Sequence, residues 1–190
     1  MIIAAGLSGC GGSAGTGSES TPSLEGSTSD AASWAGGVCS AADGLEQSLD
    51  ALGASLEVDL GSDQAVVEQI GSQVQQQADN VRDEVEALTS ALTDVPEDAD
   101  PELAAAAEDL QADRQSLEES VAGLRDAASG LAEATDAASL ARGVAAVAAQ
   151  LAVVQRDAAT FADAIETTAE EGATAVRAAF VDAPECDNRV

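Results

Sequence analysis

Residues 100–131, DPELAAAAEDLQADRQSLEESVAGLRDAASGL, carry the local signals that decide the fold. Asp100 followed by Pro101 is typical of a helix start, because the carboxylate can cap a free N–H group and proline lacks one. From Leu103 to Leu131, apolar side chains then return at intervals of three and four residues. The stretch therefore predicts a long amphipathic helix with one buried side.

Three further segments show the same spacing. A first helix is expected to carry its apolar side from Val38 to Leu56. A second is expected to begin at an N-cap near Ser62-Asp63 and to end before Val95-Pro96, since a residue before proline avoids the helical region. A fourth is expected to begin near Thr135-Asp136 and to bend near Gly172, because it is too long for its partners.

The spacing is close to 3.5 residues and the connections are short, which favours antiparallel neighbours with coiled-coil-like packing. The sequence thus predicts an all-α domain over residues 30–190, built as an up-down-up-down antiparallel four-helix bundle. A three-helix bundle with a frayed first segment and an extended antiparallel coil are the alternatives. Arg114 falls on the apolar side of the third helix, where we expect it to extend to the surface rather than to pair with a carboxylate.

Residues 1–10, MIIAAGLSGC, resemble the end of a bacterial lipoprotein signal peptide. A short apolar stretch runs into Leu7-Ser8-Gly9-Cys10, in which the Cys thiol is the group that receives diacylglycerol. The resemblance implies a truncated signal peptide (1–9), a lipidated Cys10 and a place on the extracytoplasmic face of the cell membrane. A chance match in a cytosolic protein is the alternative.

The Gly/Ser-rich continuation of this leader, residues 10–29, is expected to be a flexible tether, because it has too few apolar side chains to offset its ordering entropy. Beyond the leader, the sequence contains no uninterrupted apolar run of about 18 residues, so no membrane-spanning helix is expected. The predicted link to the membrane is the N-terminal lipid alone.

The formal net charge is −28, from 35 acidic residues and seven arginines. Such a surface repels nucleic acid, so no nucleic-acid partner is expected. The chain contains no His, Lys or Tyr, which leaves only carboxyl groups for acid–base catalysis and no base to activate a serine. We therefore expect neither an enzyme nor a cofactor.

The two cysteines that remain beside Cys10 are predicted to form a disulfide. Cys39 lies near the start of the first helix and Cys186 follows the fourth. In an up-down-up-down bundle these two ends meet, and export places them in an oxidising compartment. Two free thiols are the alternative.

A second resemblance rests on Trp34-Ala35-x-x-Val38-Cys39 at the opening of a helical domain, together with the late Phe180 and Cys186. This pattern is similar to that of uncharacterised secreted helical proteins of actinobacteria. The resemblance implies secretion and a disulfide, but no activity.

Asp94, Glu97, Asp98 and Asp100 form a candidate calcium cluster around Pro96 and Pro101, because hard cations prefer carboxylate oxygens. Their spacing does not fit an EF-hand loop, and helix capping is the alternative explanation.

These observations predict a non-catalytic interaction or scaffold protein that binds an envelope protein or associates with itself. A carrier of a lipid or another apolar ligand and a divalent-cation-binding surface protein are the alternatives.

Overall fold

The computed structural model describes residues 24–56 and 64–187. They form α1 (Leu24–Leu56), α2 (Gln64–Thr93), α3 (Pro101–Ala132), α4 (Ala137–Glu171) and α5 (Thr174–Val181), followed by a 3-10 turn at Pro184–Cys186. Since the described part of the chain contains no strand, the predicted all-α class is confirmed.

The first helix begins earlier than the sequence predicted. It starts at Leu24, so the end of the segment assigned to the tether, 24–29, is helical. The predicted leader 1–9 and the tether up to residue 23 lie outside the described residues, as does the N-cap expected at Ser62-Asp63.

The starts of α3 and α4 follow from local chemistry. The Asp100 side chain accepts a hydrogen bond from the Glu102 backbone N–H at 2.9 Å, with Pro101 at the first helical position, as predicted. At α4, the Asp136 carboxylate accepts from the Ser139 N–H at 2.7 Å, and the Ser139 hydroxyl oxygen accepts from the Asp136 N–H at 3.1 Å. This reciprocal capping box satisfies two donors that a bare helix end leaves free.

The long helices run antiparallel to their sequential neighbours. Along α2 and α3, Gly71 lies against Ala132, whereas Thr89 lies beside Arg114, so one residue number rises as the other falls. The α3–α4 contact is similar, since Gly143 lies against Leu131 near the connection. Antiparallel packing of this kind follows from the short connections.

The core is a single cluster of side chains that return at intervals of three and four residues in each long helix. Its aliphatic members are mostly leucine, valine and alanine, as the composition required. The largest fully buried side chains are Phe161, Phe180, Leu45, Leu52, Leu88, Leu92, Leu103, Leu110, Leu117, Leu124, Leu131 and Leu140. The predicted apolar sides of the helices are therefore the buried sides.

A fifth helix makes the architecture more complex than the predicted four helices. The chain breaks at Gly172, as expected for an overlong fourth helix, and α5 then packs mainly against α1. Val176 and Phe180 on α5 are buried, which explains why the apolar spacing continued beyond the break.

Candidate functional site

A disulfide closes the end of the domain where α1 meets the C-terminal segment. Cys39 and Cys186 are bonded, with their Cα atoms 5.4 Å apart and both side chains fully buried. The pairing predicted from cysteine parity and helix direction is confirmed, and this geometry lies in the ordinary range for disulfides. Cys10, the predicted lipid attachment site, lies outside the described residues.

Two aromatic residues form a second contact between α1 and the C-terminal segment. The rings of Trp34 and Phe180 pack edge to face, with centroids 5.8 Å apart and planes at 75°. Trp34 is 5% exposed, yet its indole Nε1–H has no hydrogen-bond partner among the described residues. Since an unpaired buried donor costs free energy, this atom is one that a ligand could stabilise.

Two surface clefts flank the first turns of α1. One, of about 650 Å³, lies between α1 and the C-terminal residues Asp182 and Glu185. The other, of about 600 Å³, lies between α1 and the α2–α3 connection, and Trp34 is one of its walls. Ser33 and Gly37 line both clefts, so the two are neighbours on either side of one helix. Small side chains on α1 leave this space open.

Acidic side chains line the second cleft. Its lining includes Asp30 from α1 and, from the α2–α3 connection, Asp94, Glu97 and Asp98. All four residues are exposed, and none forms an ion pair with another described residue. The cleft is therefore a patch of uncompensated negative charge beside an aromatic wall.

The structure does not support the candidate calcium cluster of Asp94, Glu97, Asp98 and Asp100. Within residues 24–56 and 64–187, no three carboxylate or cysteine side chains come together as a metal-binding group. The Asp100 carboxylate instead caps α3. The connection between α2 and α3 also lacks the central glycine and the glutamate spacing by which an EF-hand loop brings its carboxylates onto one ion.

The polar groups that are perturbed or buried have structural roles. The hydrogen bond from the Ser139 backbone holds the pKa of the Asp136 carboxyl below its ordinary value, and the hydrogen bond from Arg82 lowers the pKa of Glu86. The buried hydroxyls of Ser55 and Ser120 donate to carbonyl oxygens of their own helices. None of these groups combines a nucleophile with a base.

Arg114 does not extend freely to the surface, so that expectation was wrong. Its guanidinium pairs with Glu118 and donates to the Thr89 hydroxyl on α2 at 3.1 Å, and the side chain is 18% exposed. Pairing is favoured because a partly buried guanidinium has to replace its lost water contacts.

The outer face of α4 differs from the rest of the surface. Between residues 137 and 156 the sequence contains no Asp or Glu and two arginines, in a chain of net charge −28. The exposed residues of this stretch, which we call the α4 face, are Ala137, Ala138, Ala141, Arg142, Ala145, Ala146, Ala148, Ala149, Ala152, Gln155 and Arg156. Most residues of this face are alanines, and none carries a carboxylate.

By length and composition alone, α4 could cross a membrane. It contains an 18-residue window of mean hydropathy 1.6, of which 22% is buried. Ser139, Arg142 and Gln150 interrupt this stretch, so it is not the uninterrupted apolar run that the sequence was found to lack, and the expectation of no membrane-spanning helix stays a prediction. The low buried share means that most residues of this apolar stretch keep part of their surface exposed.

Comparisons of the chain with protein-family models, with curated proteins and with solved structures found no match.

Proposed function

We propose that this chain is a lipid-anchored, extracytoplasmic helical module that works by binding another envelope protein or a second copy of itself, and not by catalysis. The α4 face is the observation that carries the proposal. A chain of net charge −28 repels acidic partners over most of its surface, whereas this face has no carboxylate. Exposed alanines let another helix approach closely. Arg142 and Arg156 lie toward the two ends of the α4 face.

The proposed scaffold of the module is the up-down-up-down bundle of α1 to α4, with coiled-coil-like packing and with α5 as an addition at one end. Antiparallel neighbours and the regular three- and four-residue spacing of buried side chains support it. In this arrangement the disulfide joins the middle of α1 to the 3-10 turn that follows α5.

The proposed anchor is a lipid on Cys10, and it has its own test. Intact-mass analysis of the membrane fraction should find a diacylglyceryl adduct, and Cys10→Ala should release the protein from the membrane. An unmodified Cys10 in a protein that is not retained by the membrane would contradict the anchor.

A carrier of an apolar ligand is the competing function. A carrier would need an apolar cavity of roughly 300 Å³ or more between the helices. The clefts beside α1 instead place three or more serine and carboxylate side chains among their glycine, alanine and proline residues, which suits a polar ligand better than a purely apolar one. Native mass spectrometry of the purified full chain separates the two functions, because a stoichiometric lipid bound in the absence of a protein partner would favour the carrier.

Site-specific crosslinking of the lipidated full chain in a bacterial envelope tests the binding function. A photoreactive residue at Ala149, at the centre of the α4 face, should yield a defined protein adduct. The same residue at Ala112, an exposed alanine of α3, is the matched control and should not. Ala149→Glu should abolish association where Ala112→Glu, with the same charge change, does not. Equal crosslinking from both positions would overturn the α4 face as the binding surface.

A further inference from the structure

We propose that the acidic cleft beside Trp34 binds an arginine- or lysine-bearing segment of a partner protein. This site is separate from the α4 face, and its occupant is defined by two features of the cleft. One feature is the negative charge of Asp30, Asp94, Glu97 and Asp98, and the other is the unpartnered indole N–H of Trp34.

The negative charge selects for a cation. Four exposed carboxylates line one cleft of about 600 Å³, and no described basic side chain pairs with any of them. A guanidinium entering the cleft can form charge-assisted hydrogen bonds with these carboxylates.

The tryptophan selects for a peptide. Its Nε1–H is a donor, and a bare metal ion or a simple amine has no acceptor to offer it. A peptide supplies both groups at once, because its side chain carries the cation and its backbone carbonyl can accept from the indole. A hydrogen bond from Nε1 to such a carbonyl would remove the cost of a buried unpaired donor.

The surface of α1 gives the peptide room to continue. Ser33 and Gly37 line both this cleft and the adjacent one, where Asp182 and Glu185 add two further carboxylates. An extended segment can therefore pass across α1 at Gly37, with cationic side chains on either side. A Cβ atom added at Gly37 would contact only the Ala91 side chain, at 3.8 Å, so this position can be enlarged without a backbone clash.

Trp34 is the only tryptophan of the chain, so its emission reports on its own surroundings, which are this cleft and the contact with Phe180. The probe is the peptide acetyl-Arg-Gly-Arg-Gly-Arg-amide, titrated into the full chain at low salt. We expect a saturable change in Trp34 emission and a matching heat of binding by calorimetry. The citrulline analogue, which has the same shape without charge, is expected to produce neither.

Four variants, one of them a control, locate the binding. Asp94→Asn/Asp98→Asn should weaken affinity about tenfold or more, whereas Glu119→Gln/Asp126→Asn, an equal charge change on exposed positions of α3, should change it less than twofold. Gly37→Leu should obstruct the crossing and weaken binding to a similar degree. Trp34→Phe, measured by calorimetry, should weaken binding about five- to tenfold, the range of one net hydrogen bond.

Several results would overturn the proposal. They are an absence of peptide binding, equal loss in the two charge pairs, unchanged affinity in Trp34→Phe, and binding of argininamide or Ca²⁺ where the peptide fails. Circular dichroism of each variant verifies its fold, and the two aspartate substitutions on the exposed connection keep the test valid if Gly37→Leu misfolds. Ala149→Glu should leave peptide affinity unchanged, so failure at one surface is distinguishable from failure at the other.

Discussion

Trp34 on α1 and Phe180 on α5 pack edge to face, with ring centroids 5.8 Å apart, at the point where the beginning and the end of the domain meet. Such aromatic pairs add stability beyond the burial of their area. The contact fixes a helix of only eight residues, Thr174–Val181, which is too short to be stable alone.

Replacing Phe180 should therefore be among the most damaging changes in the domain. Phe180 is fully buried, so Phe180→Ala should lower the free energy of unfolding by about 3–5 kcal/mol through lost burial and a residual cavity. The neighbouring Val181 is 65% exposed, and Val181→Ala should change stability by less than about 0.5 kcal/mol. Urea unfolding measures both, and similar effects of the two substitutions would contradict the packing of α5.

The disulfide should contribute substantially to stability, because it joins residues 147 apart in sequence. Loop-entropy reasoning gives a contribution of up to about 5 kcal/mol. Cys39→Ala/Cys186→Ala should lower the free energy of unfolding accordingly, as should reduction of the wild-type protein. The double variant itself should not respond to a reducing agent. A wild-type stability that is equally insensitive, with free thiols found by peptide mapping, would exclude the bond.

Sequence reasoning succeeded where a few adjacent residues determine the outcome. Asp100-Pro101 and Asp136 start helices through their own side chains, and Pro96 follows the end of α2 after a short connection, so these boundaries could be predicted. The Cys39–Cys186 pair was predictable because parity and helix direction leave one partner.

The rest depends on packing between distant segments, which spacing alone does not specify. To predict that α5 packs against α1, one has to know that Phe180 contacts Trp34, and no local sequence signal indicates this contact. The cleft beside Trp34 arises from two segments that are distant in sequence, residues 30–37 and 91–98. One sequence signal for the cleft was available. Gly36 and Gly37 are adjacent in a helical segment, and two residues without side chains leave space beside that helix.

Two glycines in neighbouring helices should respond oppositely to alanine. A Cβ atom on Gly143 would lie 2.7 Å from Leu131 Cδ1 and 3.0 Å from its Cα atom, so Gly143→Ala forces α3 and α4 apart and should cost about 1–3 kcal/mol. A Cβ atom on Gly130 would meet nothing within 4 Å, and Gly130→Ala should stabilise α3 by up to about 1 kcal/mol. Thermal unfolding followed by circular dichroism gives both signs. A destabilising Gly130→Ala would show that the end of α3 is not a regular helix.

Acid should selectively weaken the cap of α4. Hydrogen bonds from Ser139, above all from its backbone N–H, lower the pKa of Asp136 beneath its ordinary value of 3.8. A carboxyl whose pKa is lower in the folded than in the unfolded state stabilises the fold above the unfolded pKa. This contribution is lost as the pH falls through the folded pKa. Asp136→Asn keeps a capping oxygen but does not titrate, so it isolates the charge.

The measurement is the difference in thermal unfolding midpoint between wild type and Asp136→Asn, followed from neutral pH to about pH 2.5. Other carboxyl groups also become protonated in this range and reduce the self-repulsion of the chain, but they do so in both proteins and cancel in the difference. We expect the wild type to be the more stable at neutral pH, because its carboxylate also favours the positive end of the α4 dipole. The difference should persist down to about pH 4 and disappear below the folded pKa of Asp136. Ser139→Ala keeps the backbone donor and should retain the same pH dependence with a smaller amplitude. A difference between wild type and Asp136→Asn that stays constant across the whole range would show that the charge of Asp136 contributes nothing to the cap.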